Sequence, residues 1–204
     1  MSDKKFSINV VEKLYREDVG DEMDEWFHAY LMLTEGSVHS QKIIQELHFN
    51  EGKMGTMIPN LRDKDTDLET DESISIFPYV SGDAADILSM WNHALRHAIE
   101  IRDDASGPKF GYDYRHSAHA NNCRTGVKAL IQTMGMTFCD EFTKAVAGTT
   151  ATGVPGGKPF SFAQASEESF EKLYNDNRLL AQSLPPLATV QIMSPQDIAS
   201  LEHF

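Results

Sequence analysis

Short runs of β-branched, aromatic and aliphatic residues alternate with acidic stretches along the N-terminal part of the chain. Runs of this length and composition predict β-strands, and the stretches between them predict connections. Residues 17–25 are predicted as a solvated connection, and residues 50–72 as a loop or lid. Residues 35–41 are predicted as a turn that joins two strands in a hairpin with a long connection. The predicted strands are residues 6–14, 26–34, 42–49 and 73–80.

Two segments in the middle of the chain carry apolar residues at helical spacing. The first opens at Asp83, its expected N-cap, and continues to about residue 102. Cys123 falls at the first turn of the second, directly after Asn121 and Asn122, which stand where an N-cap is expected. Gly135 is expected to end this helix. Its predicted apolar face consists of Val127, Leu130, Ile131 and Met134.

The composition changes in the last quarter of the chain. Residues 148–157 are rich in glycine and threonine, which is typical of a flexible linker. Beyond it, residues 166–182 have helical character, and residues 194–197 read as a further helix start. We therefore expect a main domain over residues 1–147 and a linker with a helical C-terminal appendage over residues 148–204.

Charge and cysteine content narrow the functional classes. The 204 residues include 18 basic and 31 acidic side chains, a net charge of −13, which argues against nucleic-acid binding and against a polybasic membrane-surface mode. No apolar run approaches the ~20 residues of a membrane span, and residues 1–6 do not begin a signal peptide. Two cysteines, Cys123 and Cys139, cannot form a disulfide scaffold. These features predict folding in the cytoplasm, with no membrane insertion. Export by a dedicated secretion system would require no signal peptide.

Cys123 is the strongest candidate for chemistry. A helix N-terminus lowers the pKa of a thiol, because unpaired amides and the helix dipole favour the thiolate. Backbone amides of the same turn, with the side chain of Asn121 or Asn122, are candidates to hold an oxyanion. The alternative is that Cys123 is a small buried hydrophobe. Cys139, which lies between Phe138 and Asp140, is expected to be core filler.

A thiol nucleophile needs a base, and His28 is the best-placed histidine. In a strand, His28 shares one face with Tyr30 and Met32, while the more uniformly apolar positions take the other face. In the next strand Ile44, Glu46 and His48 share a face. If the two faces coincide, either Glu46 or His48 can bond the second ring nitrogen of His28 and fix its tautomer. The alternative is that His28 is a core histidine with hydrogen-bonded ring nitrogens and no catalytic role.

The order of these residues resembles the circularly permuted papain-like, NlpC-type cysteine hydrolases. Residues 26–49, with His28 heading one strand and residues 46–48 in the next, resemble the first half of that fold. Residues 114–135, in which Asn122-Cys123-Arg124-Thr125 opens a helix, resemble its Asn-Cys element. In the permuted members, which include the lecithin retinol acyltransferase group, the histidine precedes the cysteine, as here. The resemblance implies an α+β fold, a small antiparallel sheet packed against a helix that bears the nucleophilic cysteine. It maps the third polar position to His48 or Glu46.

Three other interpretations compete. His93 and His97 have a metal-ligand spacing, but the zincin pattern needs glutamate where Ala94 stands, and no third ligand is evident. Residues 153–159 lack the first glycine and the final Ser/Thr of a phosphate loop. The chain can also be a non-catalytic acidic interaction module, in which His28 and Cys123 belong only to the core.

From these residues we expect a cysteine hydrolase of amide bonds that needs no cofactor and no metal. The resemblance points first to a peptidoglycan peptide amidase or endopeptidase that acts as a bacterial secreted effector toxin. A protein-directed thiol protease or deamidase is the alternative. A lipid acyltransferase is disfavoured because no basic amphipathic helix or hydrophobic anchor is evident. The acidic surface is compatible with a cationic partner such as an immunity protein or chaperone.

Overall fold

The computed structural model describes a β-sheet, three helices and short flanking segments. The described residues are 5–19, 22–37, 40–51, 57–62, 74–103, 122–137, 158–161 and 169–184. The five described strands form one sheet in which every neighbouring pair is antiparallel, with the order β4-β3-β2-β1-β5. These strands are β1 (Lys5–Val19), β2 (Glu22–Ser37), β3 (Ser40–Glu51), β4 (Met57–Arg62) and β5 (Ile74–Asp83).

The four predicted strands are present, but three of the predicted connections are wrong. The acidic stretch 17–25 continues the β1–β2 ladder as far as the pair Val19↔Glu22, because ladder hydrogen bonds do not require apolar side chains. The pairing of β2 with β3 extends to Ser37↔Ser40, so the hairpin connection is short rather than long.

Part of the predicted loop or lid over residues 50–72 is strand β4, which pairs with β3 at the edge of the sheet. The glycine, proline, asparagine and acidic residues of this segment predicted a loop. A proline is nevertheless compatible with an edge strand, where one side of the backbone has no strand partner.

The predicted alternation in β2 is confirmed. Ala29 and Leu31 belong to the main core between the sheet and the helices, whereas Tyr30 and Met32 belong to a smaller cluster. The smaller cluster lies on the opposite face, because consecutive strand residues point to opposite sides of a sheet. His28 follows the same alternation and shares the face of Tyr30.

The predicted face of β3 is only partly right. Glu46 and His48 stand opposite Met32 and Tyr30 in the ladder, and therefore share their face. Ile44 does not share it, since a register shift next to this residue inserts an extra position into β3. Ile44 packs against the main core instead.

Of the three described helices, two lie against the sheet and the third packs against one of these two helices. Helix α1 (Ala84–Asp103) contacts β1, β4 and β5, and helix α2 (Cys123–Thr133) contacts β2 and β3. The predicted apolar face of α2 is buried, and the chain leaves the helix through Gly135 at a φ of 79°, a conformation that glycine adopts readily. Among the described helices, none combines the length and apolar character that a bilayer span requires.

Helix α3 (Phe170–Ser183) packs against α1, and Leu173 and Leu184 join the main core. A buried amide network strengthens this contact. Asn177 Nδ2 donates to Gln45 Oε1 at 3.1 Å and to Asn92 Oδ1 at 3.0 Å. The C-terminal segment that was predicted as an appendage therefore contributes one helix to the same core. The predicted linker 148–157 and helix start 194–197 lie outside the described residues.

Candidate active site

Helix α2 begins with a capping box that fixes the position of Cys123. Asn122 is the N-cap, and its Oδ1 accepts hydrogen bonds from the backbone N–H groups of Arg124 and Thr125. The hydroxyl of Thr125 in turn accepts from the Asn122 N–H. The reciprocal bonds satisfy amides that otherwise lack partners at a helix start. Cys123 is the first helical residue, which confirms its predicted place in the first turn.

The sulfur of Cys123 lies where strands β2 and β3 separate. Their ladder ends at the pair Tyr30↔His48. One residue further along β2, the backbone N–H of Ala29 points to Cys123 Sγ at 3.5 Å. Since strand N–H groups lie in the plane of the sheet, the sulfur takes the place of a β3 partner for Ala29, while β3 itself continues to Glu51 and pairs there with β4. Cys123 is only 5% exposed.

His28 meets Cys123 from the other side of this opening. The imidazole of His28 is hydrogen-bonded to the Cys123 side chain. Its Nε2 lies 3.0 Å from Nδ1 of His48, which leaves Nδ1 of His28 for the thiol. The structure thus brings together two side chains that are 95 positions apart in the chain (123 minus 28).

His48 and Glu46 were alternatives in the sequence, and the structure uses both in series. Nε2 of His48 lies 3.3 Å from Glu46 Oε2, and both side chains are buried. A carboxylate only accepts hydrogen bonds, so His48 donates from Nε2 and, when neutral, accepts at Nδ1. His28 must then donate from its own Nε2. Its Nδ1 is left as a base directed at the thiol.

The aromatic ring of Tyr30 supports the histidine pair. It stands directly opposite His48 in the ladder and lies parallel to that ring, with centroids 4.2 Å apart and planes inclined by 18°. The His28 ring is 5.9 Å away on the same face. Packing of this kind restricts the rotation of both imidazoles, so their nitrogens stay aligned.

These contacts set the acidity of the thiol. Burial raises the pKa of Cys123, but the charge of the His28 imidazolium and its hydrogen bond lower it, as do the Ala29 N–H and the charge of Arg124. The outcome is a pKa lowered from an ordinary value of 9.0 to about 7. The thiolate is therefore accessible at neutral pH, as a nucleophile requires.

Two residues near the site were not predicted as part of it. Arg124 and Glu12 form a buried ion pair between α2 and β1. The sequence does contain a signal for Glu12. Alternate residues of β1, Ile8 and Val10, face the main core, and Glu12 is the next residue on that face and the polar one among them.

The remaining predicted residues have separate places. Asn122 is the cap described above, and no described residue accepts a hydrogen bond from its buried Nδ2. Asn121 and Cys139 lie outside the described residues. His93 Nε2 donates to the carbonyl of Lys158 at 2.6 Å, and the described residues include no cluster of three or more His, Cys, Asp or Glu able to hold a metal ion.

Comparisons with family models, with curated proteins and with solved structures gave no match to this chain. The site is thus defined by its own geometry. It holds a buried thiol at a helix N-terminus, an imidazole in contact with it, and a second imidazole and a carboxylate in line behind the first. A nucleophile, a base and an orienting group in this order are the parts of covalent acyl-transfer catalysis.

Proposed function

We propose that this chain is a cysteine hydrolase of amide bonds. The observation that carries the proposal is the place of Cys123 at the N-terminus of helix α2 beside the imidazole of His28, which lowers the pKa of the thiol to about 7. A core cysteine with no chemical role would be expected to have a raised pKa, because burial disfavours the thiolate. The Glu46–His48–His28 series adds an orientation for the base that simple packing does not need.

The first half of the reaction forms a thioester. The Cys123 thiolate attacks the carbonyl carbon of the amide, and a carbon–sulfur bond forms as the carbonyl oxygen becomes an oxyanion. The imidazolium of His28 then gives its Nδ1 proton to the amide nitrogen. The carbon–nitrogen bond breaks, the amine leaves, and the acyl group stays on the sulfur.

The second half restores the enzyme. Neutral His28 takes a proton from water at Nδ1, and the hydroxide attacks the thioester carbon. The carbon–sulfur bond breaks, the carboxylic acid leaves, and Cys123 returns as the thiolate paired with imidazolium. Throughout, Glu46 and His48 keep the Nε2 proton of His28 in place, because His48 Nδ1 accepts it.

Two donors are available for the oxyanion. The cap uses the amides of Arg124 and Thr125, and the N–H of Gly126 bonds to the Asn122 carbonyl. The first-turn amide that this arrangement leaves is that of Cys123 itself. Asn122 Nδ2, on the preceding residue, is buried and no described residue accepts a hydrogen bond from it, while the Oδ1 of the same side chain is fixed by the cap. We assign these two groups to the oxyanion.

For the substrate we propose the peptide moiety of peptidoglycan. The order histidine, then cysteine, and the Asn-Cys helix start resemble the permuted NlpC-type hydrolases, whose permuted papain-like fold we extend to this α+β chain. In this proposal the protein folds in the cytoplasm, leaves by a dedicated secretion system and acts as an effector toxin. An immunity protein or chaperone would then cover its acidic surface in the producing cell.

Digestion of purified sacculi tests this function. The wild-type protein should release new amino and carboxyl groups from the peptides, and the matched variant Cys123→Ala should release none. His97→Ala removes a buried histidine that contacts Glu100 in α1 and should behave as wild type. A parallel incubation with a generic unfolded protein separates wall hydrolysis from protein cleavage or deamidation. Activity that persists in Cys123→Ala would refute the proposal.

A further inference from the structure

A buried ion pair lies directly behind the nucleophile. The guanidinium of Arg124 bonds to the carboxylate of Glu12, and the two side chains are 4% and 7% exposed. Arg124 is the residue after Cys123 in α2, and Glu12 projects from β1. Neither side chain can reach a substrate, so the pair must act through its neighbours or through stability alone.

The pair closes a ring of contacts around the thiol. Glu12 stands directly opposite Ala29 in the β1–β2 ladder. The N–H of Ala29 points to Cys123 Sγ, and Arg124 leads back to Glu12. The start of α2 is therefore attached at two points, to β1 through a charge pair and to β2 through the sulfur.

Stability alone does not favour this choice of residues. A cation in the first turn of a helix is unfavourably placed relative to the helix dipole. A buried ion pair loses hydration on both sides, and well-packed apolar residues of similar volume often serve as well or better. Glu12 neutralises the buried charge of Arg124, and the Cys123 thiolate is a second negative group that the same charge stabilises.

We infer that Arg124 and Glu12 are a positioning pair for Cys123: Glu12 holds the guanidinium at the start of α2, and the guanidinium stabilises the adjacent thiolate. This role rests on the proposed function of Cys123 as a nucleophile. Glu12 limits the effect, because its negative charge partly offsets that of Arg124 at the sulfur.

Other groups near the thiol must be separated from this effect. In the described structure the titratable and charged side chains around Cys123 are His28 from β2 and Arg124 from α2, with Glu12 of β1 behind Arg124. His48 and Glu46 of β3 follow behind His28. Two separate groups of charged or titratable side chains therefore influence the sulfur, the Arg124–Glu12 pair and the series that begins at His28. Substitutions in one group leave the other in place.

The ultraviolet absorbance of the thiolate against pH tests the pair, with each variant measured against its own Cys123→Ala counterpart. Arg124→Met should raise the midpoint, but by less than His28→Gln does, because the charge of Arg124 is the smallest of the influences that lower the pKa of Cys123. Arg124→Lys should keep the midpoint near that of wild type. Glu12→Gln should lower it. The double variant Glu12→Leu/Arg124→Met should fold, since both charges leave together, and should lie between wild type and Arg124→Met.

The order of the midpoints decides the outcome, and thermal unfolding shows which variants are folded. Lys128→Met removes an exposed cation one turn further along α2 and should not change the midpoint. Opposite shifts for Glu12→Gln and Arg124→Met support the pair's role. Shifts in one direction, or none in the folded variants, overturn it. A wild-type midpoint near 9 would instead contradict the proposed function itself.

Discussion

Nε2 of His28 and Nδ1 of His48 lie 3.0 Å apart, and the planes of the two rings are inclined by only 9°. With their centroids 5.2 Å apart, the rings meet edge to edge. This is the geometry of a hydrogen bond in the plane of both imidazoles. It restricts the orientation of the His28 ring relative to His48, as the proposed role of His48 requires.

The first prediction concerns the ionisation of Cys123. The rate of alkylation by iodoacetamide should rise with pH around a midpoint of about 7, because only the thiolate reacts and its pKa is lowered to that value. In His28→Gln the imidazolium is lost while burial remains, so the midpoint should move upward. Mass spectrometry of the Cys123 peptide distinguishes its reaction from that of Cys139. A slow wild-type profile that His28→Gln does not change would contradict the assigned contact.

The second prediction separates the members of the series behind His28. His48→Ala removes the acceptor of the Nε2 proton and should lower kcat by about 10²-fold or more. Glu46→Gln retains an acceptor oxygen for His48 and should cause a smaller loss, whereas Glu46→Leu should approach His48→Ala. Steady-state kinetics on released peptide amines measure the order. Equal losses for Glu46→Gln and Glu46→Leu would indicate that the carboxylate charge, rather than the hydrogen bond, is required.

The third prediction separates the two roles of Asn122. Asn122→Ala removes the cap and should destabilise the protein by about 1 kcal/mol. Asn122→Ser keeps a capping oxygen but removes Nδ2, so its stability should stay close to that of wild type. If Nδ2 holds the oxyanion, kcat should still fall by about 10²–10³-fold in Asn122→Ser. Chemical denaturation and kinetics on the same preparations test this; full activity in Asn122→Ser would assign the oxyanion elsewhere.

The fourth prediction concerns the attachment of helix α3. Asn177→Ala leaves the amides of Gln45 and Asn92 without the partner they have in the buried network. The free energy of unfolding should fall by about 1–3 kcal/mol. Leu179→Ala, on the same helix but 63% exposed, should change it by no more than about 0.5 kcal/mol. Similar effects from both substitutions would mean that α3 is not held by the network.

The parts of the site that the sequence predicted are those fixed by local rules. Strand alternation placed His28 and Tyr30 on one face, and the capping pattern placed Cys123 at a helix start. Glu46 and His48 share a face because they are two residues apart. Which of them bonds His28 depended on the register of two strands, and periodicity alone does not specify register.

The remaining features depend on tertiary contacts that leave little local pattern. The extra residue at Ile44 changes the face of the following residues, and no turn residue marks it. The pairing of Glu12 with Arg124 joins two elements 112 positions apart (124 minus 12). Strand β4 was missed because its segment is surrounded by glycine and acidic residues and contains Asn60 and Pro59, which are typical of loops, whereas an edge strand accepts a proline.

Two consecutive residues of strand β2 contact the same sulfur atom, residue 28 through its ring and residue 29 through its main-chain amide. A single-residue insertion between this point and the ladder at Tyr30 would turn the imidazole to the helical side, and a two-residue insertion would carry it some 6.6 Å away. Changes in length are consequently far better tolerated beyond the pair Val19↔Glu22, where the described β1–β2 ladder ends. Among diverged copies of this chain, gaps should collect there and spare the short stretch from residue 28 to residue 30.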